Sequence, residues 1–326
     1  MEKYSKKQPI SLLKEGHRVD DVFVVKFKKG IAQYAKGFSF ELTLSDNSGR
    51  NIEYKYWGGP DEAKVKTIYD TIKPDSIVHA QGKISSYNNK LQFATNEPDK
   101  IEVLEKGQYN DSDFIKASKK DIDAMYGELL KEIDAVEHPK IKELLHSVFK
   151  DKEMELKFKN HPGAIEIHHN WIGGLLQHTL EVLSYCKTSK ELFPQLNKDI
   201  LIAGALLHDI GKLEEITVTS RIKGTNKGQL TGHLVLSSIF VSNKCDETSL
   251  DEETRNKLLH IIVSHHGKAE FGSPKEPMFP EATVLYYADE LSSKVAEMIE
   301  FIEDTKQTTE DDFMYHNRYK RNILLK

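Results

Sequence analysis

Period-two alternation dominates the first hundred residues of the chain and then gives way to helical spacing. Phe38, Phe40, Leu42 and Leu44 alternate with Ser39, Glu41 and Thr43. After the turn-forming cluster Asp46-Asn47-Ser48-Gly49, Ile52, Tyr54 and Tyr56 alternate again, so residues 38–57 read as a half-buried hairpin. Val22 to Phe27 (VFVVKF) is a β-branched and aromatic run that reads as another strand. Ile77 to Ile84 and Lys90 to Ala94 read as two more, joined around Tyr87-Asn88-Asn89, and Ile101 to Leu104 as an edge strand. Glu62 to Ile72 has the spacing of a short helix stopped near Pro74. Five or six short strands with one helix between the third and the fourth predict a small β-barrel.

Between Lys106 and Ser118 the composition turns polar, which marks a linker. Beyond it Met125, Leu129, Ile133 and Val136 recur at helical spacing, and Pro139 opens a helix carrying Ile141, Leu144, Leu145 and Val148. The remainder reads as interrupted helices. Asn197 is a plausible N-cap and Gly211 a plausible C′ stop. Ser249 with Glu252 has the form of a capping box, ahead of a helix whose stripe is Leu258, Ile262 and His265. The expected organisation is a barrel over residues 1–105, a linker over 106–118 and an all-α domain over 119–326, with its core at about 160–300.

Composition narrows the class. With 38% apolar and 30% charged residues the chain is an ordinary globular protein. Its longest apolar stretch, Ile200 to Leu207, is far short of the roughly 20 residues of a membrane span. The start, MEKYSKKQPI, has no apolar core of an export signal, and the two cysteines, Cys186 and Cys245, offer no disulfide framework. A cytoplasmic location is expected. The net charge of −5 is unevenly spread: residues 1–60 carry eleven Lys plus Arg against seven Asp plus Glu, a local +4, and the remainder therefore −9. A basic front domain is compatible with nucleic acid and equally with surface scatter.

Seven metal-ligand side chains recur through the second half: His178, His208-Asp209, His233, His265-His266 and Asp289. Each lies in a stretch that otherwise reads as buried helix, where an unpaired polar group is costly. Any one of these histidines could be a satisfied core residue. The adjacent His-Asp pair at a helix end has no packing rationale, and one divalent metal site would satisfy the set. Mixed imidazole and carboxylate donors suit Mn, Fe, Zn or Mg rather than a thiolate metal.

The order H…HD…D of His178, His208-Asp209 and Asp289 resembles the HD-domain metal-dependent phosphohydrolases. The added His233 and His265-His266 resemble the subset that holds two metals. The segments HHNWIGGLLQHTLEV, ALLHDIGKLEEI, GQLTGHLVLSS and SHHGKAEFGSPKEPMFPEA resemble the YhaM-type 3′–5′ exoribonucleases, which join an N-terminal OB fold to an HD domain. The resemblance implies two divalent ions per chain. His178, His208, Asp209 and Asp289 would hold one; Asp209 would bridge to a second held by His233 and one or both of His265 and His266. Manganese is the metal it favours, while the donor set also admits Fe, Mg, Zn or Co. Asp209, Lys212 and His169 form the expected catalytic group. Lys212 would stand near the scissile phosphate, or else simply close a helix end; His168-His169 would meet substrate, or else fix the turn at Trp171.

VFVVKF followed by GFSFELTLSDNSGRNIEYKYWGG resembles OB-fold nucleic-acid-binding domains, although Ala35-Lys36-Gly37 is less basic than many carry there. Candidate stacking residues are Phe38, Tyr54, Tyr56, Trp57 and Tyr87, with Lys26, Lys28, Lys36 and Lys55 as phosphate partners. Half of these aromatics must fill the barrel. The glycine-punctuated segment Arg221 to Gly232 adds the cations Arg221, Lys223 and Lys227, which guide a backbone or sit on a solvated hairpin. The expected activity is two-metal hydrolysis of single-stranded RNA, or of DNA, from the 3′ end to nucleoside 5′-monophosphates. A phosphodiesterase or nucleotidase for small or cyclic nucleotides, and a non-catalytic nucleic-acid-binding module, remain as alternatives. The basic, partly apolar tail YHNRYKRNILLK docks on a second subunit in a homo-oligomer, touches RNA or is disordered.

Overall fold

The computed structural model describes residues 4–48, 50–87, 90–110, 113–306 and 309–326, except for the side chain of Tyr87. Gly49 of the predicted turn, the Asn88-Asn89 connection and the ring of Tyr87 therefore lie outside the described residues. The chain forms two compact units, Met1–Ala117 with Val218–Ile222, and Ser118–Thr217 with Lys223–Lys326.

The first unit is a closed barrel built from β1 (Arg18–Lys28), β3 (Gly37–Ser45), β4 (Asn51–Trp57), β5 (Ile77–Tyr87) and β6 (Lys90–Asn96), with short β2 (Ala32–Tyr34) and β7 (Ile101–Leu104) at its margins. The order β1-β3-β4-β6-β5 closes when β5 pairs back onto β1. All these pairings are antiparallel except β4 with β6, whose parallel union needs a crossover that α1 (Glu62–Thr71) and β5 supply. This is the OB-fold arrangement, and the helix stands where the strand pattern places it. Alternation decides the interior: Phe40 opposes Tyr56, Leu42 opposes Tyr54 and Leu44 opposes Ile52, all buried.

One strand departs from simple alternation. The register of β1 against β3 shifts between Val25 and Phe27, so that Val25 faces Leu44 but Phe27 faces Thr43. The extra residue turns every later side chain to the other face. Phe27 thus emerges 57% exposed at the end of the β-branched and aromatic run.

The N-terminal strap is bound by carboxylates. Backbone N–H groups of Lys7 and Gln8 donate to Asp21, that of Ile10 to Asp46 and that of Lys6 to Asp113. The buried Lys6 ammonium lies 3.4 Å from both Asp21 and Asp46. The segment expected as a linker is packed at its end: Phe114 and Ile115 are buried, and the Asn47 N–H donates to the Asp113 carbonyl.

In the second unit the helices are α2 (Ile122–Asp134), α3 (Pro139–Phe149), α4 (Lys152–Lys159), α5 (Gly174–Leu192), α6 (Lys198–Leu207), α7 (Lys212–Glu215), α8 (Asn226–Thr231), α9 (His233–Glu247), α10 (Glu252–Ser264) and α11 (Pro280–Lys306). Asn197 caps α6 as predicted, accepting from the N–H groups of Asp199 and Ile200. The cap of α10 is Asp251, which accepts from Thr254, rather than Ser249, whose φ of 52° takes it out of a capping conformation. Gly211 is no left-handed C′ residue either. It is right-handed helical, at the junction of the turn after α6 with α7.

Two small hairpins interrupt the helices, the first overlapping the Arg221 to Gly232 segment for which a solvated hairpin is one reading, the second not legible in the pattern. One pairs β8 (Ile216–Val218) with β9 (Ile222–Gly224). The other, β10 (Phe313–His316) with β11 (Arg321–Leu324), orders the C-terminal tail. It is held by Glu297 of α11, which accepts from Arg318 at 3.1 Å and from the Tyr319 hydroxyl at 2.9 Å.

Candidate metal centre

Five helices bring the seven predicted ligands together. His178 lies one turn into α5, His208 and Asp209 in the turn that ends α6, and His233 is the first residue of α9. His265 and His266 follow the last turn of α10, and Asp289 lies within α11. His178, His208 and His265 are fully buried, and Asp209 and Asp289 nearly so.

Every imidazole is oriented by its outer nitrogen. Nδ1 of His208 donates to the Ala205 carbonyl at 2.9 Å, that of His265 to Ile262 at 2.8 Å and that of His266 to Phe271 at 3.0 Å. Nδ1 of His178 meets Ser292 Oγ at 3.0 Å, and that of His233 meets the Glu215 carboxylate at 3.0 Å. With the proton on Nδ1, all five rings present a bare Nε2 inward, which is the ligand form of a neutral histidine.

The inward atoms form two groups. His178, His208 and Asp209 offer donor atoms within 4.8 Å of one another, and so do His233, His265 and His266. Asp209 divides itself between them. Its Oδ2 lies 3.5 Å from His178 Nε2 and 3.3 Å from His208 Nε2; its Oδ1 lies 3.6 Å from both His233 and His265 Nε2. Asp289 Oδ1 completes the first group, 3.1 Å from His178 Nε2. Ligands at about 2.1 Å from one cation lie about 3.0–3.4 Å from each other, and the observed separations of 3.1–3.6 Å lie within or just above that range, close enough for donors to converge on one ion.

The residues fit such an ion on two further counts. Bare Nε2 atoms face each other at 3.3 Å in the pairs His178–His208 and His233–His266, an arrangement of lone pairs that only a positive charge makes favourable. Asp209 Oδ1 and His265 Nε2 are buried with no hydrogen-bond partner.

Electrostatics set the same protonation states. Burial would push the Asp209 carboxyl up, but Lys212 and His208 hold it well below the usual carboxylate range. Burial drives His265 down to about 4 and lowers His178 against the pull of Asp289. His208 differs: burial lowers its affinity for a proton, yet Asp209 beside it outweighs burial and raises it. A proton would therefore compete with any cation at its Nε2.

Lys212 places its ammonium 2.7 Å from Asp209 Oδ2 and is largely buried. Of the paired histidines upstream, His169 is fully buried and its Nε2 is bound to Glu181 at 3.0 Å, so it cannot itself reach a substrate. His168 is half-buried, with its ring 5.9 Å from that of His178, and is the member of the pair placed at the edge of the cluster. Ser292 and Glu215, which orient His178 and His233, were missed in the sequence. Only the spacing of Ser292, three residues beyond Asp289 on one helix face, could have suggested it.

Glu181 makes the structure pH-sensitive. Burial would raise its carboxyl, but the hydrogen bonds from His169, Gln177 and Ser292 bring it down to about 2. A depressed carboxylate stabilises the fold above its unfolded pKa, and that contribution is lost as pH falls towards the folded value. The contribution expected is about 1–3 kcal/mol at pH 6. In urea titrations the wild type should exceed Glu181→Gln by that amount at pH 6, with the gap closing by about pH 2.

The barrel candidates separate by exposure. Trp57 and Lys55 lie on the outer face of β4, with the Lys55 ammonium 4.3 Å from the indole centroid and Tyr34 edge-on to it at 4.7 Å. Glu41 in the facing strand accepts from Lys29 at 2.8 Å and Lys55 at 3.1 Å. Phe27 joins this face by virtue of the bulge. Tyr54 and Tyr56 are core residues, not stacking surfaces, and Phe38 is packed partly against the same core. Lys28 closes α1 by donating to the carbonyls of Tyr69 and Ile72, both at 2.6 Å, so its charge is spent inside the barrel unit. Lys26 is half-buried and Lys36 exposed in the β2–β3 turn. Arg221 pairs with Asp75 and Lys227 with Glu214, while Lys223 lies half-buried in β9.

The HD domain family matches residues 175–294, which span the ligands from His178 to Asp289. The 3′-5′ exoribonuclease YhaM of Bacillus subtilis (strain 168) is 33% identical over 312 residues, covering 95% of this chain and 96% of the relative. The YhaM of Geobacillus sp. (strain WCH70) is also 33% identical, over 93% of this chain and 91% of its own. Among solved structures, Schizosaccharomyces pombe Pot1pC bound to single-stranded DNA aligns with 31% of this chain and 88% of its own at 11% identity, with a TM-score of 0.24. The barrel assignment stands on its strand order.

Proposed function

The chain belongs to the YhaM family of 3′–5′ exoribonucleases, and from that premise we propose that it is a metal-dependent hydrolase. It shortens single-stranded RNA, and DNA as a second substrate, from the 3′ end to nucleoside 5′-monophosphates. The observation that carries this reading is the division of one carboxylate, Asp209, between two groups of inward-facing imidazole nitrogens. His178, His208, Asp209 and Asp289 would hold one divalent cation; His233, His265 and His266 would hold the second, with Asp209 common to both. Manganese is our choice of ion. Two such cations, when bound, would supply Lewis acidity for phosphodiester hydrolysis and lower the pKa of water.

The chain's own side chains do the rest. Lys212 sets a fixed positive charge beside the cluster, where the phosphate of a bound strand needs compensation. His168 offers an imidazole at the cluster's edge. On the barrel, Trp57 with Tyr34, Phe27, Lys55, Lys29 and Lys36 would grip single strands by stacking and by phosphate contacts. A mononucleotide substrate would leave that face without a purpose. The buried thiols of Cys186 and Cys245, pushed up to about 12 and about 11 by burial, are unreactive and suit a reducing cytoplasm. No described helix is long and apolar enough to cross a membrane.

A 5′-labelled single-stranded 20-mer RNA incubated with Mn²⁺ should give a ladder shortening from the 3′ end. Equal turnover of a dinucleotide and the 20-mer would favour the small-nucleotide reading instead. Removing the stacking ring should show in affinity: Trp57→Ala is expected to weaken 20-mer binding about tenfold or more by fluorescence anisotropy, one base-stack's worth of free energy. Unchanged affinity would take the outer face of β4 out of the substrate path.

A further inference from the structure

Behind the metal ligands runs a second layer of hydrogen bonds with one carboxylate at its hub. Glu181, one turn beyond His178 on α5, is an acceptor at both oxygens. Its Oε2 receives His169 Nε2–H at 3.0 Å and the Ser292 hydroxyl at 2.9 Å; its Oε1 receives Gln177 Nε2 at 3.0 Å and lies 3.6 Å from Lys120 Nζ. Each bond has a consequence further on. Since Ser292 spends its proton on Glu181, its oxygen can only accept from His178, which fixes the His178 proton on Nδ1 and leaves Nε2 bare. Since His169 spends its Nε2 proton on Glu181, its Nδ1 is the acceptor for His168 Nδ1–H at 3.3 Å, and His168 too is left with a bare Nε2.

The surroundings are built to hold this arrangement. His169 has a φ of 55°, a left-handed conformation unfavourable for a residue with a side chain. Its carbonyl accepts from Gly163 N–H at 2.8 Å. A Cβ on Gly174 would come within 2.0 Å of that carbonyl oxygen, and one on Gly163 within 2.8 Å of the His169 Cβ. Gln177 is pinned as well: its Oε1 accepts from Ser118 Oγ at 2.9 Å and from Trp171 Nε1 at 3.3 Å, so its amide must turn N–H towards Glu181.

We propose that Glu181 is a positioning residue that dictates, through Ser292 and His169, which nitrogen of His178 faces the metals and which nitrogen of His168 faces the substrate. The role rests on the metal reading above. It makes His168 a hydrogen-bond acceptor for a hydroxyl, water or ribose, rather than a donor to phosphate. The carboxylate cannot be replaced by its amide: with donors converging on both oxygens, a glutamine at 181 opposes N–H to N–H in either orientation. A second change repairs the fault. Glu at 177 would accept from Ser118, Trp171 and the new amide, and would let the amide oxygen face His169 and Ser292.

The test is imidazole ¹⁵N spectroscopy of metal-free protein together with Mn²⁺ titration of wild type, Glu181→Gln and Gln177→Glu/Glu181→Gln. We expect His178 and His168 as Nδ1–H tautomers in the wild type, loss of that state in Glu181→Gln with Mn²⁺ affinity reduced about 10–100-fold, and return of both in the double variant. Glu181→Gln with wild-type tautomers and affinity would overturn the proposal, as would a loss that the double variant does not restore. Should Glu181→Gln not fold, Ser292→Ala cuts only the His178 branch: it must disturb His178 and spare His168, and an undisturbed His178 overturns the proposal. Wild-type protein with both tautomers in place but no uptake of Mn²⁺ would overturn the metal reading and leave the positioning role standing.

Discussion

Asp209→Ala is expected to lower the rate of 3′-end shortening by about 10³-fold or more and to leave the protein unable to retain either cation. The size follows from what the side chain does. One carboxylate serves both groups of imidazoles, and losing several kcal/mol of charge stabilisation in the transition state translates into about a thousandfold or more in rate. It also balances the buried Lys212 ammonium 2.7 Å away, so its removal leaves an uncompensated charge, at a cost of about 3–5 kcal/mol. The metal-free variant should accordingly melt below the metal-free wild type. Asp209→Asn keeps the volume but turns an N–H₂ towards one group whichever way the amide lies, so it should spare at most one cation. Rate, metal content and melting temperature together test this. An undiminished product ladder from Asp209→Ala would mean that the centre lies elsewhere.

Gly211→Ala should separate the two halves of the site. A Cβ at this position would lie 2.5 Å from both the His233 carbonyl oxygen and the Ser237 nitrogen, and 2.8 Å from Ser237 Oγ. The first two are backbone atoms of α9's first turn and cannot swing aside. The same hydroxyl accepts the Gly211 N–H at 2.8 Å, so the junction is tied as well as tight. Making room for the methyl group must push α9 away, with His233 on it, at about 1–3 kcal/mol of overpacking. His178, His208 and Asp289 are untouched. The expected stoichiometry in metal analysis is one tightly held cation in place of two, with most activity lost. Two cations at wild-type affinity would show that α9 can retreat without moving its histidine.

Much of this was written in the sequence because the chemistry falls on strongly patterned elements. The alternation over residues 38–57 sets the hairpin and its register, and seven donors embedded in apolar helices could hardly be surface scatter. What was hidden depends on single events that periodicity does not carry. A one-residue bulge reverses Phe27, and nothing in VFVVKF says where such a bulge falls. Lys28, which reads as a phosphate partner, is captured by the end of a helix more than forty residues away. Tyr54 and Trp57 are both stacking candidates by residue type, yet three positions along a strand put them on opposite faces, as the alternation itself requires, one in the core and one outside. Of His168 and His169, the pattern could not say which is accessible, because a left-handed residue breaks the local geometry that would decide it. Glu181 and Ser292 touch the cluster only through other side chains, and the one trace Ser292 leaves in the sequence is its three-residue spacing from Asp289.

The length of α11 has a mechanical consequence. At 27 residues it is a rod of about 40 Å, carrying Asp289 in its first half and Glu297 two turns later. A long helix is stiff in bending but can roll about its own axis, and rolling would swing Asp289 off the centre like a cam. The grip of Arg318 and Tyr319 on Glu297 is a lever arm against that roll. The turn between β10 and β11 thus ties the rod down eight residues beyond the carboxylate it carries.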